Sequence, residues 1–160
     1  MQNIRIIAVG KIKEKYLVSA VEEYSKRLSR YCKLEIIEVS DQRIPDNCSM
    51  KEEELAKKKE CEQILHYLKE NDYIIALCIE GKQMDSVEFA NTIYHLGVRG
   101  QSNIAFIIGG SVGLSDEIKA LADLKLSFSK MTFPHQLMRV ILLEQIYRCF
   151  KINANEIYHK

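Results

Sequence analysis

The sequence offers no C-x-x-C pair, no histidine at metal-ligand spacing from its five cysteines, no long apolar run and no excess of either charge. Each absence excludes a class. Cys32, Cys48, Cys61, Cys78 and Cys149 form an odd set without zinc spacing, so they read as small packing residues of a protein in a reducing cytoplasm, and no metal is expected. No segment approaches the roughly 18 to 20 apolar residues that span a bilayer, and no signal peptide precedes the first strand, so neither a membrane nor export is expected. With 23 Lys plus Arg against 22 Asp plus Glu, the overall field gives no support to non-specific nucleic-acid binding. An RNA partner would have to be met by a local patch. No Ser-His-Asp set and no paired carboxylates stand out, which leaves hydrolases of those kinds unsupported. There is no internal repeat, low-complexity segment or obvious linker.

What is present is a core: 160 residues, of which 47% are apolar, suffice for one domain over 1–160. Short β-rich runs alternate with helical periodicities. Ile4 to Val9, Leu34 to Val39, Tyr73 to Ile79, Asn103 to Ile108 and Leu124 to Phe128 read as strands. Between them, Glu14 to Arg30 carries Leu17, Ala20, Val21, Tyr24 and Leu28 at helical spacing. Ser49-Met-Lys-Glu52 reads as a capping box opening a charged helix with a stripe of Leu55, Ile64, Leu65 and Leu68, while Lys57 to Lys59 form a solvated face. Glu80-Gly-Lys82 reads as a turn into a helix with Val87, Ala90, Ile93 and Leu96 inward. A short helix follows at about Ser115 to Ala122. The last helix, His135 to Phe150, offers Leu137, Val140, Ile141 and Ile146 for burial. Strand-helix alternation predicts an α/β fold, a mostly parallel sheet with helices on both faces.

Two strand ends run into loops where such a sheet binds ligands. The first is Ile107-Ile-Gly-Gly-Ser-Val-Gly-Leu-Ser115. Its glycines fit neither G-x-x-x-x-G-K-[ST] nor G-x-G-x-x-G, so they serve tight turns, close contact with a ligand, or both. The second, Phe128-Ser-Lys-Met-Thr-Phe-Pro-His135, has small polar groups and free amides between apolar Phe128, Met131 and Phe133, as a planar base would need. Pro134 suits a helix start. His135 is either an ordinary first-turn residue or a cleft residue sharing a face with Arg139. The terminal Tyr158-His159-Lys160 either frays or reaches a neighbouring subunit's cleft.

In order and spacing, Ile107 to Leu114, Leu126 to Arg139, Glu144-Gln-Ile-Tyr-Arg148 and Tyr158-His159 resemble the ribosomal RNA large-subunit methyltransferase H family, as do Ala8 to Lys11 and Tyr24 to Leu28. The resemblance runs the whole length. It implies a SPOUT-type α/β knot with a C-terminal trefoil knot, a homodimer, and S-adenosyl-L-methionine held bent in the knot. The implied cofactor contacts are Leu77, Gly109 and the loop Phe128, Ser129, Lys130, Met131, Thr132 and Phe133. The implied reaction is methylation of N3 of a pseudouridine in large-subunit ribosomal RNA within assembled ribosomes, without a metal. For proton removal the candidates are His159 or Tyr158 of the partner subunit, then His135, with Arg139 on a phosphate or the developing anion. Lys11, Lys13, Lys15, Arg27 and Arg30 are candidate RNA-contact charges. Ile157 stands where many of that family carry proline. The alternative from the residues alone is a non-enzymatic RNA- or nucleotide-binding module with a flavodoxin-like sheet.

Overall fold

The structure is a computed structural model that describes residues 1–160. Its elements in chain order are β1 (Gln2–Val9), α1 (Lys15–Leu28), β2 (Cys32–Val39), α2 (Met50–Tyr67), β3 (Tyr73–Gln83), α3 (Ser86–Val98), β4 (Asn103–Ile108), α4 (Asp116–Leu121), β5 (Leu124–Ser127) and α5 (His135–Asn153). The five strands form one sheet in the order β2-β1-β4-β3-β5, and every pairing is parallel.

Covering both faces explains the nearly unbroken apolar strands. Alternate side chains of β1 enter different cores: Ile4, Ile6 and Ala8 join Ile104, Phe106 and Ile108 of β4 on one face, Ile7 and Val9 join Ile107 on the other. The first face is closed by Leu28 of α1, by Phe89, Ala90, Ile93 and Leu96 of α3, and by Leu142, Leu143, Ile146 and Cys149 of α5. The second is closed by Cys61 and Ile64 of α2 and Ile118 of α4. Crossovers toward the β2 edge therefore carry helices on one face, and those toward β5 on the other, as a single crossover hand requires.

The helices begin where local chemistry stops the preceding loop. Ser49, Asp85 and Ser115 each accept a hydrogen bond from the backbone amide three residues on, and Asp85 with Glu88 completes a reciprocal box. Three apolar residues expected inward are exposed: Leu55, Val87 and Leu137. In α2 Ile64 is buried, with Leu65 and Leu68 packed against the same core, and Ala56, Glu60 and Cys61 complete the inward face in place of Leu55.

The sharpest departure lies at Glu80 to Lys82, which continue β3 rather than turn out of it. Pairing with β5 shifts register between Leu77 and Lys82, so the intervening residues bulge from the ladder. Gly81 passes so close to β5 that a Cβ there would lie 2.7 Å from the Lys125 carbonyl. A glycine at that spacing resembles a turn signal; tertiary approach of a second strand made it a strand residue.

Candidate active site

The carboxyl ends of β3, β4 and β5 frame a cleft of about 410 Å³. The bulge supplies one wall with Leu77, Cys78, Ile79 and Glu80, the glycine loop a second with Gly109 to Leu114, and the loop after β5 a third with Phe128, Ser129, Met131, Thr132 and Phe133. Of the residues singled out for a cofactor, Lys130 alone does not line the cleft; its side chain is exposed to solvent. Volume and half-apolar lining match a small-molecule site.

Local bonding makes the third wall rigid. Ser127, buried, donates to the Ser129 carbonyl at 3.1 Å, and the Met131 amide donates to Ser129 Oγ at 3.0 Å. The glycine loop is closed by an antiparallel bridge between Gly110 and Gly113. A Cβ on Gly109 would meet the Gly113 carbonyl carbon at 3.0 Å and Leu114 at 3.1 Å, so this glycine permits the loop to fold on itself as well as leaving the cleft open. Overpacking of this kind costs about 1–3 kcal/mol. Gly109→Leu is therefore expected to weaken S-adenosylhomocysteine binding by about tenfold or more in titration calorimetry; an unchanged affinity would place the ligand elsewhere.

Sequence reasoning missed two charged neighbours in the cleft. Lys119 Nζ meets Glu80 Oε1 at 2.5 Å, and the pairing holds the Glu80 carboxyl below its ordinary range and the Lys119 ammonium above its own. A carboxylate following a buried strand, at the end where ligands bind, was the available signal.

His135 opens α5 and lines both this cleft and a second, polar groove at the ends of β1 and β2. Burial lowers its pKa, more than neighbouring Asp41 raises it, so the ring is neutral at pH 7 and has a free nitrogen to accept a proton. Arg139 does not follow it into the cleft. Its side chain is 1% exposed and turned inward, where Nη1 bonds Glu38 at 2.7 Å and Nη2 bonds the Gly10 carbonyl at 3.0 Å. In this structure both guanidinium arms are engaged, and Arg139 ties the start of α5 to the ends of β1 and β2.

The C-terminal tail is docked rather than frayed. Tyr158 donates to Glu144 at 2.8 Å and lies edge-on to Tyr147, with the Arg148 guanidinium over its ring. His159 Nδ1 lies 3.2 Å from Arg148. Neither residue lines the cleft of its own protomer; His159 instead borders a hollow on the far side of Phe128. Three elements thus converge without the tail.

The sheet is all-parallel with a cleft at its carboxyl edge, walled by the bulged end of β3 and the loops after β4 and β5, and a family model described as predicted SPOUT methyltransferase matches residues 2–159. The chain belongs to the SPOUT methyltransferase family. Among individual relatives, it is 63% identical to the ribosomal RNA large subunit methyltransferase H of Clostridium novyi over 158 residues, covering 99% of each chain. The protein of that name from Clostridioides difficile is 60% identical, again over 99% of each. Among solved structures, a "probable methyltransferase" of Bordetella pertussis Tohama I superposes with a TM-score of 0.58 at 15% identity, over 93% of this chain and 96% of that one. That likeness shows the fold. Methyltransferases of this family take their methyl group from S-adenosylmethionine.

Proposed function

We propose that this chain methylates N3 of a pseudouridine in large-subunit ribosomal RNA, acting on assembled ribosomes in the cytoplasm as a homodimer. The observation that carries the reading is the cleft itself. Two of its three walls, the glycine loop and the loop after β5, are segments through which the sequence resembles the methyltransferase H family, and relatives so named are about 60% identical over nearly the whole chain. The trefoil knot implied by that resemblance belongs to the same reading.

The residues fit S-adenosylmethionine. Phe128, Met131 and Phe133 offer apolar walls for an adenine, and the amides between them offer its polar edge. The Glu80 carboxylate is placed for a hydroxyl or a cationic group. When bound, the cofactor supplies an electrophilic methyl group. The chain's part is to hold that group in line with N3, where well-oriented reactants gain on the order of 7–11 kcal/mol at the upper limit, and to receive the N3 proton. Within one protomer the neutral His135 ring is the acceptor bordering the cleft. Tyr158 and His159 belong to the mechanism only through a partner, whose tail would cross to this cleft. Because the tail of the same chain lies outside the cleft, the dimer is needed for them to contribute.

A methyl-transfer assay comparing intact ribosomes, separated subunits and naked RNA, with and without pseudouridine, tests the substrate. Transfer to an unmodified uridine at equal rate would overturn the assignment to a pseudouridine. For the tail, Tyr158→Phe with His159→Ala is expected to lower turnover by about 10²-fold, the lower end of general acid-base contributions, while S-adenosylhomocysteine affinity stays near that of the parent. Mixing this variant with a Gly109→Leu subunit, whose tail is intact and whose cleft is blocked, should restore part of the activity if the tail works across the dimer. Full turnover by the double variant alone would remove the tail from the chemistry.

A further inference from the structure

We propose that the groove beside the cofactor cleft seats the RNA backbone, with Lys11, Lys13 and Arg43 as counter-charges for its phosphates. This deepens the methyltransferase reading and rests on it. The groove, about 580 Å³, lies at the carboxyl ends of β1 and β2 and meets the cleft at His135. Among its eleven lining residues Val39 is the one hydrophobic side chain, so it is unsuited to stacking a base and suited to a charged, hydrated strand.

Lys11 and Lys13 come from the segment after β1, Arg43 from the segment after β2, thirty residues further on. All are exposed, and none forms an ion pair or a side-chain hydrogen bond: the seven ion pairs of the structure leave them out. Three acids share the groove. Glu38 is answered by Arg139 and by the Ile12 amide at 3.0 Å, which leaves Glu14 and Asp41 against three cations and a neutral His135. The start of α5 adds to the positive side. This 19-residue helix has Pro134 at its cap position without a side-chain cap and no acidic residue in its first turn, and His135 and Gln136 at its start line the groove. Its first amides and the positive end of its dipole are open to an anion. By contrast Arg27, another candidate RNA contact, is bonded to Glu23 at 3.1 Å and lies over Tyr24 and Tyr147. A strand following the groove would deliver its next base to the cleft at His135.

The test is the salt dependence of binding to unmethylated intact ribosomes, across roughly 50 to 200 mM salt. Each phosphate neutralised contributes about 0.7 to 0.9 to the slope of log K against log salt, so Lys11→Ala with Arg43→Ala should flatten it by about 1.4 to 1.8. Arg43→Ala alone, on a loop outside every helix and strand, should flatten it by about half as much and guards against a folding defect in the double variant. Lys58→Ala, on the exposed face of α2, is the control. A parent slope retained by the groove variants, or a loss equalled by Lys58→Ala, overturns the groove. Failure of the parent to bind S-adenosylmethionine or ribosomes overturns the methyltransferase reading instead.

Discussion

Arg139→Ala is expected to destabilise the fold by about 2–4 kcal/mol and, with it, to loosen the junction between cleft and groove. Arg139 is among the largest fully buried side chains, and it ties the first turns of α5 to Glu38 at the end of β2 and to the Gly10 carbonyl just beyond β1. Truncation removes a buried guanidinium, leaves a void and deprives both acceptors of their donor. Breaking a buried pair costs about 3–5 kcal/mol, and partial exposure of Glu38, at 38%, lowers the figure because water can answer its carboxylate. Arg139→Lys should fall between, since an ammonium keeps the charge but cannot reach both acceptors in a planar fork. Urea unfolding of the three proteins measures the effect. A variant within about 0.5 kcal/mol of the parent, the range of a neutral surface change, would show that the tie carries no stability.

Glu60→Gln is expected to stabilise the protein at alkaline pH, by about 2–3 kcal/mol at pH 9. Glu60 is 2% exposed; its Oε2 accepts from the Gln42 amide at 3.0 Å, and its Oε1 has no partner. Burial pushes its pKa up to about 7 from 4.5, with nearby Asp41 adding to the rise. The sign follows from proton counting. Between pH 4.5 and 7 the folded protein holds a proton that the unfolded chain has released, so stability falls as pH rises through that window, and the whole penalty is present above it. An amide keeps the acceptor for Gln42 and never ionises, so the variant's stability should be nearly flat over that window where the parent's declines. Parallel unfolding curves for the two proteins from pH 5 to 9 would show that Glu60 is solvated in the folded state.

The candidate site was legible in parts, and the parts differ in physical kind. The Gly109 loop and the Phe128 to Phe133 loop could be found because a strand end followed by unusual loop chemistry is a local pattern. Both prove to wall the cleft. Leu77 came from family resemblance alone. Nothing near it distinguishes it from other strand residues, and only the register shift against β5 turns the end of β3 into a wall. Arg139 shows a similar limit of local pattern: helical spacing put it one turn beyond His135, but spacing does not say that Gly10 and Glu38, more than a hundred residues earlier, close around it.

By itself the sequence determined where most strands and helices lie, that the sheet is parallel and covered on both faces, and which two loops line the cleft. Those properties depend on periodicity, capping and apolar runs, all of which act over a few residues. Tertiary structure alone decided the strand order, the bulge that makes Glu80 a cleft residue, the inward turn of Arg139 and the docking of Tyr158 on Glu144. Each of these depends on which distant groups can satisfy a buried charge or an unpaired backbone, and that is settled only when the chain is packed.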